Sequence, residues 1–556
     1  MEKIWMKHWP EDIPKEVVFS EGKIPAFEHL RIHARRNPDK PAIIYYGREI
    51  SYRELDESSD RFANYLLDLG LVKGDRVGLF LGNSPQYAIA HFGVQKMGGI
   101  VCPCSPLFKE MELRYEVNDA GMKCLVTLDL YMPIVNNVLP DTPSLLGVVT
   151  TSFRDYLPAE PTLPLVDYMN IPKQTIPGTQ DFVEIMTNWR ADAPSVEIDL
   201  DNDIALFEYT GGTTGLPKGA MLSHYSHIFK PSAVATICGF HENSRILTTM
   251  PFFNIAGMLF LISPVLRGAT NIMITQFDPL AVLQAIDKYK VTFWYSAVPM
   301  NLAVMGHPDA SKYDLSSLEL NLCTSFVVAL NEQISQKWRD FTGGCELLEG
   351  AYGLSETHTA DTFCPRHRIK YGSMGIPGYE AEFKIVDFDN KTRELPIGEE
   401  GEIALRNPGC MKGYWNKPEA TAETLIDGWV FTGDVGRFDE DGYLYWLGRR
   451  KEMIKVSGFS VFPEEVESLL NQHPAVLENA VIPVPDAKKG EVVKSFIVLK
   501  PEYAGKITPE EIINWARENM SPHKVPVYVE FREDLPKQGV KLLRRILRDE
   551  EESKTR

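Results

Sequence analysis

The sequence predicts an α/β protein in two parts. Residues 1–450 form a large N-terminal domain of parallel-rich sheets flanked by helices, and residues 451–556 a small α+β C-terminal domain. Three observations carry this expectation. The chain has 556 residues, more than one hydrophobic core organises. Apolar runs of strand length alternate with amphipathic runs of helix length, the order of parallel sheets covered on both faces. The charge also changes near Arg449: residues 1–448 hold 39 basic and 58 acidic side chains, and the remainder 19 and 18.

Taken in order, Phe27, Leu30 and His33 recur at helical spacing, and Asn37-Pro38 stops them. Residues 42–46 read as a strand, Gly47-Arg48 as a turn and 50–52 as the return strand. A helix follows over 55–69, with Leu55, Phe62, Tyr65, Leu66 and Leu69 on one face and Gly70 at its end. Strands at 77–81, 100–102 and 124–127 enclose a helix opened by Asn83-Ser84-Pro85. Residues 130–200 are rich in proline and weakly patterned, so they read as a connecting surface region. No repeat of fixed period is visible. In the last hundred residues, 463–473 and 509–519 read as helices and 478–485 and 494–499 as strands, which suits a two-layer unit.

Composition narrows the function. Hydrophobic residues at 44% and charged residues at 24% fit a soluble globular protein, and a net charge of −18 argues against nucleic-acid binding. The eight cysteines include no CxxC pair, which fits free thiols in the cytoplasm better than a metal centre. The N-terminal residues have no apolar core of the signal-peptide kind, and the longest apolar run, near 257–266, is too short to span a bilayer.

The chemistry centres on residues 206–224, LFEYTGGTTGLPKGAMLSH. An apolar strand runs into Thr210, Gly211, Gly212, Thr213, Thr214 and Gly215, then Leu216, Pro217, Lys218 and Gly219, and a second apolar strand follows. Such glycines let backbone N–H groups approach phosphate oxygens, the threonines add hydroxyls and Lys218 adds a charge. It is not a Walker loop, which needs Lys followed by Ser or Thr and then a helix. The bland reading is a Gly- and Thr-rich hairpin turn.

The whole string resembles the phosphate-binding loop of the acyl-adenylate-forming superfamily, which includes acyl-CoA synthetases, nonribosomal adenylation domains and firefly luciferase. Further stretches resemble the same family in its order: GREISYREL, KGDRVGLFLGNSP and PLFKEMELRYEVNDAG before the loop, and EGAYGLSET, GCMKGYWNKPEATAE, FTGDVGRFDEDGYLYWLGRRKEMIKVSGF and LPKQGVKLLRR after it. The resemblance spans about Phe27 to Arg548 and is closest to the AMP-forming acid–CoA ligases. It implies ATP, Mg²⁺ and coenzyme A as reaction partners. By it, Thr210, Gly211, Gly212, Thr213, Thr214, Gly215 and Lys218 hold phosphates, and Gly350, Ala351, Tyr352 and Gly353 hold the adenine, with the Tyr352 ring stacked on it. Asp434 and Arg449 hold the ribose, and Glu356 holds Mg²⁺. It also implies a small domain that rotates about a hinge at Lys451, withdrawing the catalytic Lys541 and bringing Gly458 toward the CoA thiol. Taken singly, each of these residues more commonly serves a turn, a cap or a solvated face.

Three departures stand out. Asn254 occupies a position where the family has His, and residues 325–330 read Ser325, Phe326, Val327, Val328, Ala329, Leu330 where the family has a Gly-Gly pair. In the last motif Val540 replaces Gly and the loop is one residue shorter, which leaves Lys537 as a minor competitor of Lys541. The resemblance implies that Asn254, Ser325, Phe326 and Val327 line the acyl pocket, and the expected acid is then short, with branched and hydroxylated acids included. The alternatives are a medium- or long-chain fatty acid, a carrier protein in place of CoA, and a degenerate nucleotide binder.

Overall fold

The computed structural model describes residues 3–192, 194–210, 216–325, 328–456, 459–486, 490–538 and 541–555. The chain opens with α1 (Ala26–Arg36), β1 (Pro41–Tyr45), β2 (Arg48–Ser51), α2 (Tyr52–Asp68), β3 (Arg76–Phe80), α3 (Pro85–Lys96) and β4 (Ile100–Pro103). It continues through α4 (Glu110–Ala120), β5 (Cys124–Leu128), α5 (Met132–Val138), β6 (Gly147–Thr151), β7 (Gln180–Asp181) and α6 (Phe182–Asn188). Next come β8 (Ile204–Thr210), β9 (Lys218–Ser223), α7 (His224–Ile237), β10 (Arg245–Thr248), α8 (Ile255–Arg267), β11 (Thr270–Met273) and α9 (Pro279–Tyr289). β12 (Phe293–Ala297), α10 (Val298–Met305), β13 (Leu320–Thr324), α11 (Glu332–Thr342) and β14 (Glu346–Glu349) complete this part.

These strands make two seven-stranded sheets, ordered β9-β8-β4-β3-β5-β6-β7 and β2-β1-β11-β10-β12-β13-β14. In each, six strands run parallel and the seventh is the antiparallel edge arm of a hairpin. One continuous core, with Phe27, Phe62, Tyr87, Val126, Leu206, Ile228, Met258 and Ile272, joins α1, α2, α3, α7 and α8 to both sheets. Parallel sheets of this kind bind ligands beyond their carboxyl ends.

The surface reading of residues 130–200 is corrected here. β6 pairs in register with β5 over five residues and Val149 is fully buried, so this region supplies an interior strand of the first sheet. Only two valines in GVVTT signal burial, and the surrounding prolines mask them.

Two further sheets follow. β17 (Glu382–Val386), β18 (Gly401–Arg406), β19 (Leu425–Ile426), β20 (Trp429–Phe438) and β21 (Leu444–Arg449) form one, with α12 (Pro418–Thr424) between β18 and β19, after the short pair β15 (Thr362–Phe363) and β16 (Ile376–Pro377). The other is made of β22 (Ile454–Val456), β23 (Phe459–Val461), β24 (Val476–Asp486), β25 (Gly490–Leu499) and β26 (Tyr528–Phe531). It packs on α13 (Pro463–Leu470) and α14 (Pro509–Asn519) around Val466, Leu470, Val481, Ile497 and Ile512. The hairpin of β27 (Lys537–Gln538) and β28 (Lys541–Leu542) precedes the last helix, α15 (Arg544–Thr555).

Candidate active site

The β8–β9 hairpin sets the first wall. Thr210 and Lys218 are opposite each other at its open end, and Gly211, Gly212, Thr213, Thr214 and Gly215 lie outside the described residues. The free edge of β9 takes a further stretch of chain: Met221 N–H donates to Gly413 O at 2.9 Å and Trp415 N–H to Gly219 O at 2.9 Å. This places Tyr414 beside the loop. The Lys218 ammonium lies 4.4 Å from the centroid of the Tyr414 ring, and the Tyr414 hydroxyl donates to Glu356 Oε1 at 2.6 Å. One aromatic side chain thus joins the lysine of the loop to the carboxylate of the SET turn. Burial, reinforced by the Glu356 carboxylate, raises the Tyr414 phenol above its ordinary range, so the bridge keeps its proton.

The second wall is the chain leaving β14. Gly350 N–H donates to Cys323 O at 2.6 Å, and a Cβ at Gly350 would stand 2.9 Å from the Tyr295 ring. Ala351 and Gly353 are half-buried. Tyr352 is more enclosed than its sequence neighbours suggest. Its ring is only 6% exposed and packs with Leu354, Phe383 and Leu444, while its hydroxyl donates to Asp434 Oδ2 at 2.7 Å. A flat ring beside a glycine reads as open, because nothing in its neighbourhood announces a carboxylate 82 positions away.

Asp434 sits inside β20 rather than after a turn, with Gly433 at φ +69° just before it. Its carboxylate is 2% exposed and pairs with Arg449 Nε at 2.8 Å. Burial raises its pKa and Arg449 opposes the rise. β20 and β21 are paired at this point, Asp434 against Arg449, so sheet register alone makes the contact.

Asn254 and Ser325 stand on separate elements. Asn254 is the exposed N-cap of α8, and its side chain makes no capping bond. Ser325 follows β13. Its hydroxyl donates to Glu349 Oε2, and Leu330 N–H donates to Ser325 Oγ at 2.9 Å. Burial pushes the Glu349 carboxyl up to about 7. Phe326 and Val327 lie outside the described residues.

The AMP-binding enzyme family matches residues 30–415, and the C-terminal domain of AMP-binding enzymes matches residues 465–541. The chain belongs to the AMP-binding enzymes. A long-chain-fatty-acid–CoA ligase of Bacillus subtilis (strain 168) is 38% identical over 565 residues, covering 99% of this chain and 98% of that one. Its namesake in Salmonella typhimurium is 35% identical over 571 residues, covering 100% and 99%. Among solved structures, the anthranilate CoA ligase AuaEII in complex with anthranoyl-AMP superposes with a TM-score of 0.82 at 28% identity, covering 97% of this chain and 98% of that one. ATP-bound MatB from Rhodopseudomonas palustris gives 0.80 at 26%, covering 95% and 99%.

In this AMP-binding enzyme the C-terminal motif splits its two lysines. The Lys537 ammonium is bound to Glu478 of β24. Lys541 faces Gln538 across the β27–β28 hairpin; its side chain, like Gly458 and Val540, lies outside what is described. The adjoining Arg544 is locked by three carboxylates, Glu452 at 2.6 Å, Glu464 at 2.8 Å and Glu467 at 2.6 Å. Lys451 is exposed on a single 3-10 turn, Arg450–Glu452, and the strands on its two sides belong to different sheets. Sequence reasoning missed Tyr414, although it lies in a quoted motif. A Gly-Tyr-Trp run following a lysine gave the only signal.

Proposed function

We propose that this enzyme is an AMP-forming acid–CoA ligase. The observation that carries the reading is the convergence on Tyr414 of Lys218 and Glu356, from elements 138 positions apart in the chain, with the Tyr352–Asp434–Arg449 cluster on the same Gly350–Glu356 segment. A bound ATP would place its terminal phosphates on Lys218 and its ribose on Asp434. Asp434 Oδ2 accepts from Tyr352, whereas Oδ1 lies 2.8 Å from Arg449 Nε with no hydrogen bond among the described residues, so Oδ1 is the acceptor that a ribose hydroxyl would use.

A carboxylate attacks the α-phosphate, pyrophosphate leaves, and an acyl-adenylate remains. The protein's part is to position and neutralise. Thr210, Thr213, Thr214 and Lys218 hold phosphates, and Lys541 meets the charge that grows between acid and α-phosphate. Glu356 fits Mg²⁺. It is half-buried, and Tyr414 occupies one of its oxygens, which leaves the other for a cation shared with phosphate. Bound there, Mg²⁺ would neutralise phosphate charge. The CoA thiol then attacks the acyl carbon. A C–S bond forms, the C–O bond to AMP breaks and the thiol proton goes to solvent. Rotation of residues 451–556 about Lys451 separates the two steps, bringing Gly458 in and taking Lys541 out.

For the acid, the full-length relatives named for long-chain fatty acids favour a long apolar tail over the short acid that Phe326 and Val327 imply. Pyrophosphate exchange across acids from acetate to palmitate, followed by CoA addition, tests the whole reading. We expect exchange to rise with chain length and thioester to appear on adding CoA. An optimum at acetate or propionate returns the short acid, and no exchange with any acid removes the ligase. Lys541→Ala loses exchange about a hundredfold or more while sparing thioester formation from supplied acyl-adenylate; that result from Lys537→Ala instead would move the catalytic role there.

A further inference from the structure

Three histidines from three separate elements meet in the interior behind the Glu356 turn. His91 lies on α3, His227 on α7 and His358 just past Glu356, and all three are fully buried. His91 Nε2 is 3.2 Å from His227 Nε2, and His227 Nδ1 is 3.1 Å from His358 Nε2. Burial lowers all three pKa values, His91 and His358 to about 3, so the chain is neutral near pH 7. A neutral imidazole has one donor and one acceptor, so the middle ring can donate at one contact and accept at the other. The chain therefore runs in one of two directions, and the tautomer of His91 dictates that of His358. The outer nitrogens, His91 Nδ1 and His358 Nδ1, have no hydrogen-bond partner among the described residues. All the hydrogen bonding of these rings is thus spent on one another.

The chain ends where the backbone is most strained. His358, Thr359 and Ala360 hold φ of +57°, +52° and +51° in succession, a conformation that L-residues with a side chain seldom adopt and that costs on the order of 1–3 kcal/mol each. This left-handed stretch reverses the chain, so that Asp361 N–H donates to Tyr352 O at 2.8 Å and Thr359 N–H to Leu354 O at 2.8 Å. It also lies against Gly353, where a Cβ would stand 2.6 Å from Thr359 Cα. Something must over-determine such a turn. α7 supplies it at two positions one helical turn apart: His227 takes His358, and Lys230 takes Asp361 at 2.6 Å in a pair that is 2% and 0% exposed.

We propose that the His91–His227–His358 chain is a positioning device that holds the left-handed turn directly after Glu356 and so fixes the Glu356 carboxylate against Tyr414. The inference rests on the reading of Glu356 given above for its catalytic consequence, but not for the turn itself. His358→Asn is the sharpest test, because Asn tolerates positive φ and the ring alone is lost. His227→Leu removes the middle ring. His227→Gln keeps one donor and one acceptor and serves as the rescue. Amide hydrogen exchange over residues 353–361, and Mn²⁺ binding in the presence of ATP followed by electron paramagnetic resonance, read the turn and the cation separately.

We expect faster exchange confined to that segment in both disruptive variants and Mn²⁺ affinity lower by about tenfold, the usual scale for a residue that orients a ligand. The exchange kcat should fall while KM for the acid stays put, with most of the loss restored in His227→Gln. Unchanged amide exchange in folded His227→Leu and His358→Asn overturns the proposal. Faster exchange with unaltered Mn²⁺ binding upholds the positioning of the turn and takes Glu356 out of the cation site.

Discussion

The two large sheets share one plan and end in two unlike hairpins. Beyond the hairpin, the first sheet runs β4-β3-β5-β6-β7 and the second β11-β10-β12-β13-β14, the same permutation of five parallel strands. Each hairpin lays its first arm parallel to that set, and its second arm passes directly into a helix capped by a serine, Ser51 for α2 and Ser223 for α7. The difference lies at the tips. β1 and β2 turn on two residues, Tyr46 and Gly47, both at positive φ as in a type I′ turn, whereas β8 and β9 are joined by residues 211–217. One frame is closed by two residues, and the other carries seven at the same point, where the proposed function puts the phosphates. On that proposal the chemistry belongs to the tip and not to the sheet.

Replacing residues 211–217 with Asn-Gly would give the second hairpin the tip of the first. We expect pyrophosphate exchange to fall at least about a thousandfold, since every phosphate contact of the loop goes at once. The melting temperature should hold within a few degrees, because the Thr210–Lys218 register survives. Retained exchange would show that the loop does not carry the phosphate contacts and would end the comparison.

The shared plan was not legible in the sequence, and physics says why. Alternating apolar runs and helical periodicity revealed α1, α2, β1, β3, β5 and both arms of the β8–β9 hairpin, because local spacing encodes them. Nothing local encodes which strands become neighbours, so two sheets of identical order left no visible repeat. The site divides in the same way. Lys218, Glu356, Asp434 and Arg449 were named as candidates through motifs that the resemblance carries. The burial of Tyr352, the bridge through Tyr414 and the histidine chain were missed, since each depends on residues brought together from distant positions. His91 and His227 are 136 positions apart, and His227 and His358 are 131 apart.

The second sheet also contributes to the site, through charge at the end of β14. The Glu349 carboxyl is held at about 7 by burial, against 4.5 in the open chain. A folded-state pKa above the unfolded one means the folded state binds the proton more tightly. That contribution is complete below about pH 4.5 and is lost as pH rises to about 7, a change of up to roughly 3 kcal/mol. Glu349→Gln keeps an acceptor for Ser325 without the ionisation. Denaturant titrations at pH 4.5, 6 and 8 should show the variant gaining on the wild type by nearly that amount. A constant difference across the three would mean that the carboxyl ionises normally.

Gly47→Ala probes the closed tip. At φ +105° any side chain is strained, and the added Cβ would stand 2.6 Å from Thr162 Cγ2. We expect a loss of about 2 kcal/mol in stability and unaltered exchange activity per folded molecule. A fall in activity at full folding would mean that the two hairpins communicate.

The smallest effect makes the finest comparison, because the two serine caps are chemically alike. Ser51 Oγ accepts from Glu54 N–H at 3.1 Å, and Ser223 Oγ from Ser226 N–H at 3.2 Å. Each alanine substitution strands one helix N–H and should cost about 1 kcal/mol, read as a shift in the denaturation midpoint at constant slope. The helices behind the caps differ in what they carry. α2 is held by Leu55, Phe62 and Leu66 in the shared core, and Ser51→Ala should leave the kinetics unmoved. α7 carries His227 and Lys230 one and two turns from its cap, and both reach the Glu356 turn. Fraying at Ser223→Ala loosens His227 first, so this variant alone should raise KM for ATP, by about twofold, as expected when a fraction of 1 kcal/mol is transmitted. Ser226 limits the damage, because its own hydroxyl still donates to Ser223 O at 2.8 Å. Equal kinetics in the two variants at equal loss of stability would mean that α7 holds the turn from Lys230 alone, whose ion pair with Asp361 lies too deep in the helix to feel its first turn.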